Sequence, residues 1–370
     1  MIKRFEVKNF KGFKERLVFD FYSRGYDFHE DLIRNSIVNK AVIYGKNGIG
    51  KSSLGIALFD ITSHLTDNER FNQMYLENYR NLDSIDDPVE FKYMFLLDGD
   101  EIIYEYMKYD ASFLIRERLI VNGVEMLKYD YFVKDDNYIE PKMQGSLNIE
   151  LVDNQLSILK FIYRNTPQNT YPPLTKLMQF CENMLWYRSL SDGNVYAGFQ
   201  NGRSLLEEIL YENGKREEFE EFLNEYGEEY ELNFEPVNGA HKLFAYFNNG
   251  TSKAPFDSLA STGTKALYLF FTWRIKAFSK LSFLFIDEFD AFLHYEAAAS
   301  LVKLLNSETG FQTVLTTHNT YLMNNKLTRP DCCYIMTKNK LTCLSDCTEK
   351  EISEAHNLEK MYINGAFIYE

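Results

Sequence analysis

Val42-Ile43-Tyr44-Gly45-Lys46-Asn47-Gly48-Ile49-Gly50-Lys51-Ser52-Ser53 is the stretch on which the reading of this chain turns. It spells Gly45-x-x-x-x-Gly50-Lys51-Ser52, the pattern of a phosphate-binding loop. A short apolar strand (41–44) feeds it and a helix-compatible run (54–61) follows, the context that separates such a loop from a Gly-rich turn. The glycines let the backbone curl, so that N–H groups between Gly45 and Ser53 face one anion. Lys46, Asn47 and Ile49 fill the loop, Lys51 reaches the β- and γ-phosphates, and the Ser52 hydroxyl is offered to magnesium. The stretch is read as a nucleoside triphosphate site.

At 370 residues the chain is long enough for about two domains and a sizeable core. Hydrophobic residues make up 45% of it, which suits a folded protein rather than a disordered one. The 26 Tyr and 30 Phe are spread along the chain, so they read as core filling and not as a stacking box. No apolar run reaches the roughly 20 residues of a membrane span, and residues 1–5 lead into a strand rather than a signal peptide. Five cysteines, an odd number, point to a reducing cytoplasm, and the adjacent Cys332 and Cys333 would face opposite sides of a strand, against a zinc site with Cys343 and Cys347. A net charge of −14 favours protein partners over a DNA backbone, unless a basic groove forms on assembly.

Along the chain, residues 2–8 alternate as a strand, 16–21 as its antiparallel partner, and 37–44 as the strand entering the loop. A helix is expected to about residue 65. Asp98-Gly99-Asp100 and Asn122-Gly123 each join two strand-like runs, which predicts a β-meander over 89–129. Helical spacing then covers 158–163, 174–187 and 202–226, the last with an acidic solvated face, and strands follow near 230–234 and 241–247. The expected division is 1–150 for the first half of a nucleotide-binding domain, 151–250 for a mainly helical insert, and 251–370 for the second half.

The second half carries its own chemistry. Leu281-Ser282-Phe283-Leu284-Phe285-Ile286-Asp287-Glu288 is a buried strand ending in two carboxylates, the form of a Walker B motif. Asp287 is placed to hold magnesium beside Ser52, and Glu288 to orient or deprotonate an attacking water. Ser261-Thr262-Gly263-Thr264 precedes an amphipathic run; alone it reads as a capped helix, but its place just before Walker B suits a ligand-facing turn. Residues 311–318 form another short strand, ending in His318 where a γ-phosphate sensor would sit.

Taken together, Gly45 to Ser52, Ser261-Thr262-Gly263-Thr264, Asp287-Glu288 with Leu293-His294, and Thr317-His318 resemble the ABC-type ATPases of the SMC, RecF and OLD kind. The opening from Phe5 through Asn9-Phe10-Lys11 to Phe13 and the ending from Asn357 through Tyr362 to Phe367 are similar to the short stand-alone members found in bacterial anti-phage and abortive-infection systems. The resemblance implies an α/β fold, a P-loop NTPase of ABC type with an antiparallel β-meander and a helical insert. It implies ATP and Mg2+ as ligands, Lys11 as a phosphate contact, and ATP sandwiched in a head-to-tail homo-oligomer, with Ser261 and Gly263 acting in trans. PARIS-type systems imply further a separate Toprim-like nuclease effector and a phage-encoded trigger. Thr262 and Thr264 depart from the transporter signature, and Gln73 is the one glutamine between Ser52 and the first hairpin for a Q-loop. A RecF-like DNA-binding repair ATPase is the alternative, opposed by the acidic total.

Overall fold

The computed structural model describes residues 1–68, 73–149, 152–167, 169–189, 196–199, 206–338 and 340–368, with the backbone alone at 73 and 74. Strand β1 (Ile2–Lys8) pairs antiparallel with β2 (Leu17–Asp20). The expected strand 37–44 is divided at Asn39 into Ile37–Val38 and β3 (Lys40–Tyr44). The reason is a change of partners: Val38 N–H bonds to Phe21 O, whereas Asn39 O accepts from Thr313 N–H. The phosphate loop follows, then α1 (Lys51–Leu58) and α2 (Asp60–Leu65), separated at Phe59 where one helix was expected.

The meander forms as the turn chemistry predicts. Strands β4 (Val89–Leu97), β5 (Asp100–Lys108), β6 (Leu114–Val121) and β7 (Val124–Asp130) are joined through Asp98-Gly99 and Asn122-Gly123, whose residues all have positive φ, as a type I′ turn requires. Alternation along β4 buries Val89, Phe91, Tyr93, Phe95 and Leu97 and leaves Glu90 and Lys92 half exposed. With β8 (Tyr138–Ile139), these strands make a sheet in the order β8-β7-β6-β5-β4-β1-β2. Its apolar face packs on α1, where Tyr93 Oη donates to Ala57 O at 2.9 Å.

Helices α3 (Ile158–Asn165) and α4 (Pro172–Glu182) come next. The helix expected over 174–187 stops at Glu182, and its last part is instead β9 (Met184–Arg188). Met184-Leu185-Trp186-Tyr187 is buried throughout, and an apolar run of this kind reads equally as buried helix or buried strand. Strand β10 (Tyr196–Gly198) pairs with it. The run expected as helix over 202–226 is α5 (Leu206–Glu212) and α6 (Arg216–Glu225); residues 202–205 lie outside the described ones. Strands β11 (Glu231–Val237), β12 (Ala240–Phe247) and β13 (Ser252–Pro255) form a small antiparallel sheet. The stretch 151–250, expected as mainly helical, is thus mixed, and two of its strands enter the main sheet.

The chain closes with α7 (Thr262–Ala277), β14 (Phe283–Asp287), α8 (Tyr295–Ser307), β15 (Gln312–Thr317), β16 (Cys333–Met336), β17 (Leu341–Cys343) and α9 (Leu358–Ile363). The second sheet has the order β10-β9-β14-β15-β3-β16-β17. Strands β9, β14, β15, β3 and β16 run parallel, so their carboxyl ends share one edge, where ligands of open α/β sheets bind. The sheet separates two cores: Ala41, Ile43, Phe283 and Phe285 face one, Val42, Tyr44, Leu284 and Ile286 the other. Helix α1 lies directly on this sheet at Gly55, where an added Cβ would stand 2.6 Å from Trp186 Nε1. No helix among the described residues is long and apolar enough to cross a membrane.

Candidate nucleotide site

The phosphate loop joins the end of β3 to α1, with Gly50 as the N-cap at φ 113°. Gly45 N–H donates to Thr317 O at 3.3 Å, which ties the loop to the end of β15. Lys46, Asn47 and Gly48 are exposed at the crest, while Ile49, Ser52 and Ser53 are half-buried. The Lys51 side chain curls back over the loop, its Nζ donating to Gly45 O at 2.6 Å and Lys46 O at 3.0 Å. Burial lowers the Lys51 pKa, and the carboxylates of Glu288, Asp287 and Asp290 work against that shift. The loop lysine and the acids after β14 therefore occupy one electrostatic neighbourhood.

Asp287 is fully buried between hydroxyls. Ser52 Oγ donates to its Oδ2 at 2.6 Å and Thr316 Oγ1 to its Oδ1 at 2.7 Å. Burial raises the Asp287 pKa, with those two hydrogen bonds opposing. A hydroxyl and a carboxylate meeting at this edge are the hard oxygen donors that magnesium takes, so the residues present fit that ion. Glu288 has φ 49°, a left-handed conformation uncommon outside glycine, and its N–H donates to Thr316 Oγ1 at 2.8 Å. That turn swings the carboxylate out of the strand, where Arg188 Nη2 donates to Glu288 Oε2 at 2.9 Å. Arg188 Nε stands 3.7 Å from Asp287 Oδ2. Next to them, Thr317 Oγ1 donates to Asp290 Oδ2 at 2.8 Å.

The other residues singled out in the sequence are placed differently. His318 is exposed beside Asp290, whose pKa its charge lowers against the larger, upward effect of burial. No hydrogen bond joins His318 to Glu288 among the described contacts. Ser261 caps α7, its Oγ accepting from Thr264 N–H at 3.1 Å and pairing with the buried Thr264 hydroxyl at 2.7 Å. Thr262 is exposed, and Gly263 lies so close to Phe292 that an added Cβ would be 2.8 Å from its carbonyl oxygen. Among the described residues no hydrogen bond links 261–264 to the phosphate loop of the same chain. Lys11, expected on a phosphate, donates instead to Glu77 O at 2.7 Å and Tyr75 O at 3.5 Å, and burial lowers its pKa to about 8. The backbone there (φ 48°) turns the side chain toward residues 75–77.

Arg188, Thr316 and Asp290 escaped the sequence reading. Arg188 sat just past an expected helix (174–187), and only its pairing with Asp287 across β9 and β14 brings it to the site. The Walker B strand β14 lies between β9 and β15; Gln73, the glutamine considered for a Q-loop, has no described side chain. Thr316 carried a signal in its position two residues before His318, on a strand adjacent to Walker B.

No curated protein matches the chain. Among 279 matching chains of solved structures are an SMC head bound to the C-terminal winged-helix domain of ScpA and the SMC head domain from Thermotoga maritima. The first is 15% identical with a TM-score of 0.44, covering 92% of this chain and 96% of that one. The second is 14% identical with a TM-score of 0.44, covering 92% and 98%. The recombination mediator RecF with ATP is 13% identical, with a TM-score of 0.41 and coverage of 93% and 99%. Residues 40–324, well over half of the chain, match the family described as "AAA domain, putative AbiEii toxin, Type IV TA system". The chain belongs to that family of P-loop ATPases.

Proposed function

We propose that the chain binds ATP with Mg2+ at the carboxyl edge of its parallel sheet, hydrolyses it, and uses the cycle to control a separate effector. The observation that carries this reading is the 2.6 Å contact between Ser52 Oγ and Asp287 Oδ2, two groups remote in sequence that meet beside Lys51. In this scheme the Lys51 amine leaves the Gly45 and Lys46 carbonyls for the terminal phosphates, and the Gly48 and Gly50 amides face the same oxygens. Ser52 and Asp287 hold magnesium, which when bound supplies positive charge to the phosphate oxygens. Glu288 orients a water in line and takes its proton, and His318, open to solvent beside Asp290, contacts the terminal phosphate. Ser261 and Gly263, remote from the loop of their own chain in hydrogen bonding, close the site of a neighbouring copy. Lys11, the remaining phosphate contact of this reading, would likewise have to leave the carbonyls of Glu77 and Tyr75.

The family's description as a toxin of a type IV toxin–antitoxin system supports a role in cytoplasmic anti-phage defence. The effector of this reading is a nuclease of the Toprim kind, held or released when a phage product is sensed. The test is co-expression with the product of the adjacent reading frame. Co-elution that depends on ATP and disappears in Lys51→Ala is the expected result. Retention on DNA that falls steeply with salt, with no protein partner, would overturn it in favour of a DNA-binding repair ATPase.

A further inference from the structure

One cation in the site has no task in that scheme. Arg188 stands opposite Asp287 in the parallel pairing of β9 and β14, so its side chain leaves the sheet at the level of the Walker B acids. Its Nη2 occupies Glu288 Oε2 at 2.9 Å, and its Nε lies buried, 3.7 Å from Asp287 Oδ2, with no hydrogen-bond partner among the described residues. The side chain is 28% exposed.

This arrangement is incompatible with a loaded site. A guanidinium keeps its charge at any working pH, so it cannot share Asp287 and Glu288 with a divalent cation without strong repulsion. Glu288 is also a weaker proton acceptor while a guanidinium holds its Oε2, because the neighbouring cation favours the charged carboxylate. Entry of a metal–nucleotide pair must therefore displace the guanidinium. The same event brings in an acceptor that suits it, because the planar fork of arginine matches phosphate oxygens in two-point contacts.

We propose that Arg188 is a displaceable latch that reads the terminal phosphate. Without nucleotide it neutralises Asp287 and Glu288 and weakens Glu288 as a base. With a triphosphate bound it transfers to the terminal phosphate and releases Glu288. A diphosphate offers no such acceptor, so the latch returns. Arg188 is thus a positioning residue for Glu288 and a source of discrimination between ATP and ADP. The proposal rests on the nucleotide reading above.

The experiment compares wild type, Arg188→Ala and Arg188→Lys by two measurements that need no turnover. Titration with Mn2+ alone should show binding about tenfold tighter in Arg188→Ala, because the competing cation is gone, and near wild type in Arg188→Lys. Affinities for ATP and ADP with magnesium should show the ATP preference falling about tenfold in Arg188→Ala, with ADP bound at least as tightly as by wild type, which also certifies the fold. Arg188→Lys, a point charge without the fork, should lose part of that preference and serves if the alanine variant fails to fold. Unchanged Mn2+ affinity and an unchanged ATP preference in either folded variant would overturn the latch while leaving the nucleotide reading intact. A wild type that binds neither nucleotide, like Lys51→Ala, would overturn both.

Discussion

Glu288, the base of the proposed mechanism, is a strained residue. A non-glycine backbone at φ 49° costs on the order of 1 kcal/mol and persists because Thr316 accepts its N–H. In Glu288→Gln the shape and the Thr316 contact survive while the proton acceptor is lost. Turnover should fall at least roughly 100-fold with ATP affinity retained, as a phosphate-release assay beside equilibrium binding would read. Hydrolysis near the wild-type rate would remove Glu288 from its role. A second residue acts far from the chemistry. Lys40, at the opposite end of β3, donates to Phe311 O at 3.0 Å and Thr313 Oγ1 at 2.9 Å, and burial lowers its pKa to about 7, with Glu308 opposing. Between that value and the 10.5 of a free lysine the unfolded chain binds more protons, so stability rises with pH over this interval. The contribution is complete above the upper value and lost as pH falls through the lower one. Denaturant titrations at pH 7, 8.5 and 10 should therefore show wild type gaining on Lys40→Met as pH rises; parallel curves would refute the shift.

At the scale of elements, the phosphate loop depends on how α1 and α2 are seated. Gly55 lets α1 touch β9 and β14, with an added Cβ 2.6 Å from Trp186 Nε1 and 2.8 Å from the Phe285 ring. Gly55→Ala should cost about 1–3 kcal/mol in chemical denaturation, the usual penalty of overpacking. Helix α2 is held to the meander through Asp60, which accepts from Lys108 Nζ at 2.7 Å, Tyr75 Oη at 2.8 Å and Tyr106 Oη at 3.0 Å. Lys108→Met leaves that buried carboxylate without its cation and should cost about 3–5 kcal/mol. A smaller loss would mean that the tyrosine hydroxyls alone sustain the charge. These elements also divide by how legible they were. The two hairpins follow from turn residues a few positions apart, and β4 from an alternation that faces a core on one side. Strand β9 has neither: Met184-Leu185-Trp186-Tyr187 is buried on both faces, so no period marks it, and the helix before it supplies a false continuation.

For the whole molecule, the proposed function predicts assembly. Ser261 caps its own helix at Thr264, Gly263 lies against Phe292, and no hydrogen bond among the described residues joins them to the loop of their own chain. If each site takes its loop from one copy and its Ser261 turn from another, Lys51→Ala and Ser261→Arg are defective alone but complementary. Mixed in equal amounts they should recover up to about a quarter of the wild-type turnover, since half the pairs contain one intact site. Light scattering should show an ATP-dependent increase in mass that persists in Glu288→Gln. No recovery on mixing, with a mass indifferent to ATP, would leave each chain to act alone.

The sequence by itself determined the chemistry that is contiguous: a loop of glycines with Lys51 and Ser52, a buried strand ending in Asp287 and Glu288, and the hairpins of the meander. Each is specified by neighbours along the chain, whose spacing encodes geometry directly. The tertiary structure alone decided which side chains meet those acids. Arg188 opposes Asp287 and Thr316 bridges Asp287 to Glu288 because distant strands lie parallel and in register, while Lys11 is held by carbonyls well beyond it in sequence. Pairing across a sheet is set by the burial of whole strands, and no local spacing records it.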